Sequence, residues 1–140
     1  MANNVSVFRM YLQEKEVYME EGTNEDGTSF FRLEQRLKNG GSVVLAIGFD
    51  ESEEIIDLYV FNVADIVDAY KRESTLKLIN ELNRDLRYSK FTLDDSGRVT
   101  SNYCMMFEDN FNPDVLMRQL VLALNCVEEV YPKFMKIVWS

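Results

Sequence analysis

The chain contains no histidine. That removes the usual general base near neutral pH, the base of most nucleophile pairs and the commonest metal ligand. Cysteine is almost missing as well. Cys104 and Cys126 are too few and too distant for a disulfide framework, and no CxxC spacing supports zinc or redox chemistry. Both lie within hydrophobic runs, which predicts buried thiols. Only 2 prolines and 6 glycines occur in 140 residues, which argues against a disordered or low-complexity chain. Neither GxGxxG nor GxxxxGK[ST] is present; Gly40-Gly41 reads as a turn and Gly48 as part of a strand. No apolar run approaches the roughly 18 residues of a membrane span. The start, MANNVSVFRMYLQEKE, has no basic-then-apolar secretion signal, so Asn4-Val5-Ser6 reads as a chance glycosylation sequon and the chain is expected in the cytoplasm.

Positive charge is scarce: 15 Lys and Arg stand against 24 Asp and Glu, a formal net charge of −9. Such a surface repels phosphate backbones and anionic headgroups, so neither nucleic acid nor membrane is expected as a partner. Basic partner segments suit it better. The acidic runs Asp50–Glu54 and Glu108-Asp109-Asn110 lack the ordered ligand spacing of a calcium loop and read as solvated loops, with no metal or cofactor implied.

What is present describes one globular domain over residues 1–140. Hydrophobic residues make up 46%, and a chain of this length buries about two-thirds of its unfolded surface. Val7, Phe8, Tyr11, Leu12 and Lys15 recur at helical spacing, so Val5 to about Lys15 is a short helix that must dock on something. Gly22 to Gly27 reads as a loop. Ser29–Lys38 alternates, with Phe31, Leu33, Gln35 and Leu37 on one face and Phe30, Arg32, Glu34 and Arg36 on the other. Asn39-Gly40 is a strong hairpin signal. Ser42–Phe49 is nearly all apolar, as in a central strand, and Ile55–Val67 is a longer strand with a bulge near Asn62. Short connections imply an antiparallel meander.

The pattern turns helical from Asp68, firmly after Ser74 as N-cap, with Leu76, Leu78, Ile79, Leu82 and Leu86 on one arc. Asn80 and Asn83 sit at its edge, placed to bond a nearby backbone. A second hairpin follows: a strand through Phe91, a turn at Asp94–Gly97 with Gly97 as the left-handed residue, and a strand over Arg98–Glu108. Asn112, Pro113 and Asp114 open the last helix as cap, first residue and dipole partner. Leu122 and Cys126 fall off its apolar face and suggest either a partner or dimer contact or the edge of the core. Pro132 is expected to end or kink the helix, leaving an apolar tail with Trp139 that also wants cover. The order is αβββαββα, an α+β fold.

The run LKLINELNRDLRYSKFTLDDSGRV resembles the YbjN-like family of bacterial sensory transduction regulators, whose fold is that of type III secretion chaperones. The residues carrying this are Leu76 to Asn83 (a Leu-x-x-Ile/Leu-Asn-x-Leu-Asn helix pattern), Ser89-Lys90-Phe91, the acidic-Gly turn Asp94 to Gly97, and a long helix opening at Asn112-Pro113. Asn80, Asn83, Phe91 and Gly97 thus read as fold-specifying residues, and there is no catalytic set to carry over. The resemblance implies a non-enzymatic protein-binding module, chaperone-like or regulatory, often a homodimer, that holds extended partner segments against apolar patches. The alternative is a small-ligand sensor with a pocket between sheet and helices. A hydrolase would need two convergent buried carboxylates, and no pair stands out in the sequence.

Overall fold

The computed structural model describes residues 3–140. Its elements run α1 (Asn4–Glu14), β1 (Glu20–Thr23), β2 (Ser29–Arg36), β3 (Ser42–Phe49), β4 (Ile55–Asp65), a single 3₁₀ turn (Ala69–Lys71), α2 (Arg72–Asp85), β5 (Lys90–Leu93), β6 (Arg98–Met106) and α3 (Pro113–Val138). The six strands form one antiparallel sheet in the order β1-β2-β3-β4-β6-β5. This is the α+β arrangement expected, with one strand more than the sequence suggested. Glu20-Glu21-Gly22-Thr23 has no apolar residue to set a period, and pairing with β2 makes it a strand.

Period-two alternation decides what each strand contributes to the core. Phe31, Ile47 and Leu58 stand in one row across β2, β3 and β4, and Phe49 and Ile56 in the next. All five are essentially fully buried. α1 packs on this face through Phe8, whose ring lies 5.1 Å from Phe31, edge to face, and 6.1 Å from Phe49. α3 supplies Leu116, Leu120, Val127 and Phe134 to the same core, and Phe134 lies 5.7 Å from Phe91 of β5.

The N-terminus of α1 has no cap of its own. Glu53, in the β3–β4 loop, provides one: its carboxylate accepts from the Val5 N–H at 2.8 Å, and its carbonyl accepts from the Asn4 amide at 2.7 Å. A carboxylate there also complements the helix dipole. The Asn4 side chain is buried by this contact. On the exposed rim, Arg9 donates to Glu21 and holds that carboxyl below its usual range.

Three local expectations are corrected. Ser74 lies inside α2, which begins at Arg72 without a side-chain cap; Asp68 instead caps the preceding 3₁₀ turn, accepting from Tyr70 N–H at 2.9 Å. The predicted arc holds for Leu78, Ile79, Leu82 and Leu86, which face the core, and fails only at Leu76. Thr75 is buried, its hydroxyl bonded to the Lys71 carbonyl, while Leu76 is 50% exposed. Pro132 does not end α3, which runs on to Val138. The proline ring faces solvent, so the carbonyl it leaves unpaired can be hydrated, and Phe134 and Met135 anchor the next turn in the core. The expected apolar tail is the end of this helix.

Candidate functional site

All three helices engage the buried face, and the opposite face of the sheet is left open. Its residues follow from register. Gly22, Phe30, Gly48 and Asp57 form one row, continued by Cys104; Glu20, Arg32, Ala46 and Tyr59 form the next, continued by Asn102; Val44 and Phe61 follow. The middle of this face is apolar, and it is hollow, enclosing about 760 Å³. Ala46 and Gly48 are its floor. Phe30, its ring lying over Gly22, lines one side, and Tyr59 and Phe61, stacked with ring centroids 5.0 Å apart, line the other. A Cβ built on Gly48 meets nothing within 4 Å, so no packing requirement of this chain keeps a glycine there. Its effect is to keep the floor low.

The bulge in β4, between Val60 and Ala64, lies at the far end of the hollow, with Asn62 in a left-handed conformation at φ 65°. Asparagine tolerates that conformation better than most residues. At the near end stand the β1–β2 and β3–β4 loops, where Glu51 packs against Gly27. Burial raises the Tyr59 hydroxyl above its ordinary range, helped by Asp57. Desolvation and the Asp57 carboxylate do the same to the Cys104 thiol. Among the described residues no three His, Cys, Asp or Glu side chains are grouped to hold a metal ion, and the buried polar residues are Asn4, Thr75, Ser89 and Ser101, with no carboxylate among them.

The residues singled out from sequence lie elsewhere. Leu122 is 52% exposed on α3 and Trp139 is 76% exposed at its C-terminal end. They are 17 residues apart, about 25 Å along a helix, so they do not form one patch. Cys126 is half-buried beside Ser89, one turn from Leu122. Cys104 is exposed rather than buried, because alternation turns it to the open face. Asn80 is exposed; Asn83 bonds the backbone of Phe91, whose ring is in the core; Gly97 adopts φ 93° against the Ile66 carbonyl. The floor residues Ala46 and Gly48 and the rings of Tyr59 and Phe61 were missed. Their one signal was that β3 and β4 are apolar on both faces.

The family model for YbjN, described as "Putative bacterial sensory transduction regulator", matches residues 5–136. The chain belongs to the YbjN family. A structure described as the crystal structure of the ExsC-ExsE complex contains a chain of the same fold, with a TM-score of 0.61 at 12% identity, covering 96% of this chain and 97% of that one. At that identity the likeness carries the fold alone, and that fold is secretion-chaperone-like, as the sequence suggested. Among curated proteins nothing matches. No helix among the described residues is long and apolar enough to cross a membrane.

Proposed function

We propose that this YbjN-family protein is a non-enzymatic, chaperone-like or regulatory module of the bacterial cytoplasm, and that it holds a partner protein on the open face of its sheet. One observation carries the reading: an apolar hollow floored by Ala46 and Gly48 and walled by Phe30, Tyr59 and Phe61 that no element among the described residues covers. A sheet buries its apolar faces against another layer, and here only one face has such a layer. The absence of histidine and of any buried carboxylate among the described residues supports the non-enzymatic half. A homodimer belongs to the same proposal, with the exposed Leu122 and the neighbouring Cys126 at its contact and Trp139 in a separate one.

A photo-crosslinking residue at Val44, on the open face, and at Lys77, exposed on α2, tests the reading in the native cell. A partner captured from Val44 and not from Lys77 is the expected result. The same bands from both positions, or none from Val44, would overturn it. Light scattering after size exclusion tests the dimer, and a strict monomer at high micromolar concentration removes that half.

The hollow also favours a second reading, a small-ligand sensor, because its volume lies in the range of ligand pockets, roughly 300–1,000 Å³. A metabolite thermal-shift screen distinguishes the two, since a bound ligand raises stability by mass action.

A further inference from the structure

We propose that the occupant of the open face is a basic amphipathic helix of a partner protein, its apolar stripe seated over Ala46 and Gly48 and its lysines or arginines facing the β1–β2 and β3–β4 loops. This rests on the reading of that face as a protein-binding surface and names the chemistry of what binds.

The hollow has a floor and two sides but no roof, whereas small-molecule sites bury most of their ligand's surface. A macromolecular segment brings that roof with it. Phe30 on β2 and Tyr59 on β4 are two strands apart, about 10 Å between backbones at ordinary strand spacing, so a helix lies across the rims with its apolar side chains entering between the rings. An extended segment adding to the sheet through β5 meets an obstacle, because Asn83 already occupies both backbone groups of Phe91.

Charge selects the sign of the helix. Residues 24–28 and 50–54 carry Glu25, Asp26, Asp50, Glu51, Glu53 and Glu54 and no lysine or arginine. Asp57 adds a carboxylate on the face itself. Among the described residues none of these seven is in an ion pair, and all but Glu53, which caps α1, are left to face a partner. The two arginines lining the hollow do not offset them. Arg32 stands opposite Glu20 at 4.0 Å, and Arg98 lies at the far end, away from the two loops, where the Asp94 carboxylate accepts from its backbone N–H.

The test uses a fluorescein-labelled amphipathic Leu/Lys peptide of about 14 residues, long enough to form a helix on binding, and its Leu/Glu twin, followed by anisotropy. The Leu/Lys peptide is expected to bind and the twin to fail. Gly48→Leu, whose Cβ meets nothing within 4 Å and whose side chain takes up space in the hollow, is expected to weaken binding by about tenfold or more. Phe61→Lys, at a side chain 37% exposed, gives the same readout independently of Gly48. The double variant Glu25→Lys/Glu51→Lys is expected to weaken binding and flatten its salt dependence. Equal binding of the two peptides overturns the proposal, as does binding that both Gly48→Leu and Phe61→Lys leave unchanged. No binding of the Leu/Lys peptide at high micromolar concentration also overturns it, even where Val44 still crosslinks to a protein. Self-association abolished by Gly48→Leu would assign the face to a second copy and overturn it too.

Discussion

The side-chain amide of Asn83 acts as a one-residue strand against Phe91. Its Nδ2 donates to the Phe91 carbonyl at 3.0 Å and its Oδ1 accepts from the Phe91 N–H at 2.8 Å. Phe91 is opposite Ser101 of β6, and β5 is the last strand on that side of the sheet. Both outward-facing backbone groups at this point are therefore satisfied from α2. Exposed strand edges invite pairing with other chains, and this edge is closed by a side chain.

Asn83→Ala leaves one donor and one acceptor of Phe91 without partners in a half-buried setting. A loss of about 1–2 kcal/mol is expected in urea unfolding, even though alanine is the better helix former. Light scattering at rising concentration checks the second consequence, since the reopened edge should promote association. Wild-type stability and dispersity in this variant would show that the amide is dispensable.

Gly97, just before β6, and Gly48, inside β3, have opposite expected responses. Gly97 has φ 93°, and a Cβ there collides with the Ile66 carbonyl, whose own N–H donates to the Gly97 carbonyl at 2.7 Å. Gly97→Ala is expected to destabilise by more than about 1 kcal/mol, because both strain and the lost bond act on the folded state. Gly48→Ala should be neutral or slightly stabilising, since its Cβ meets nothing within 4 Å. Thermal unfolding of the two variants side by side decides whether Gly97 is needed for the fold and Gly48 is not.

Pro132→Ala should stabilise the protein. The proline lies inside α3 and removes one helical bond, at an intrinsic cost of about 3 kcal/mol relative to alanine in a helix interior. Surrounding packing has absorbed part of that cost, so a gain of about 1–3 kcal/mol is expected from chemical denaturation. A loss of stability would mean that the ring makes a contact its solvent exposure does not reveal.

Cys104 is reachable by reagents but slow to ionise. Desolvation and the negative charge of Asp57 keep its thiol protonated to higher pH than usual. Alkylation follows the thiolate, so in a Cys126→Ala background the rate should stay low near neutral pH and rise only above the ordinary thiol range. Asp57→Asn removes the charge, lowers the thiol pKa and should speed alkylation at pH 8 by about twofold or more. An unchanged rate would remove Asp57 as a cause.

Elements with a strong local signal are legible in the sequence alone. β3 begins and ends where its apolar run does, and α3 opens on Asn112, whose side chain accepts from the Asp114 N–H at 3.0 Å. The β4 bulge near Asn62 is marked by the break in alternation. The features that were not legible depend on distant groups. β1 is a strand because β2 offers it hydrogen bonds, and α1 is capped by Glu53, about fifty residues away in sequence. Ser74 has the right chemistry for a cap, but the preceding turn is capped by Asp68 and the helix has already begun.

By itself the sequence excluded histidine chemistry, set an acidic surface and divided each strand into two faces, because composition and a period of two need no partner. It also held the motif that marks the family. Only the tertiary structure decided which face the helices cover. β3 and β4 are apolar on both sides, so nothing local distinguishes the side that receives Phe8 and Leu116 from the side that leaves Ala46, Gly48, Tyr59 and Phe61 uncovered. That choice is made by connections between elements, and the candidate site is its consequence.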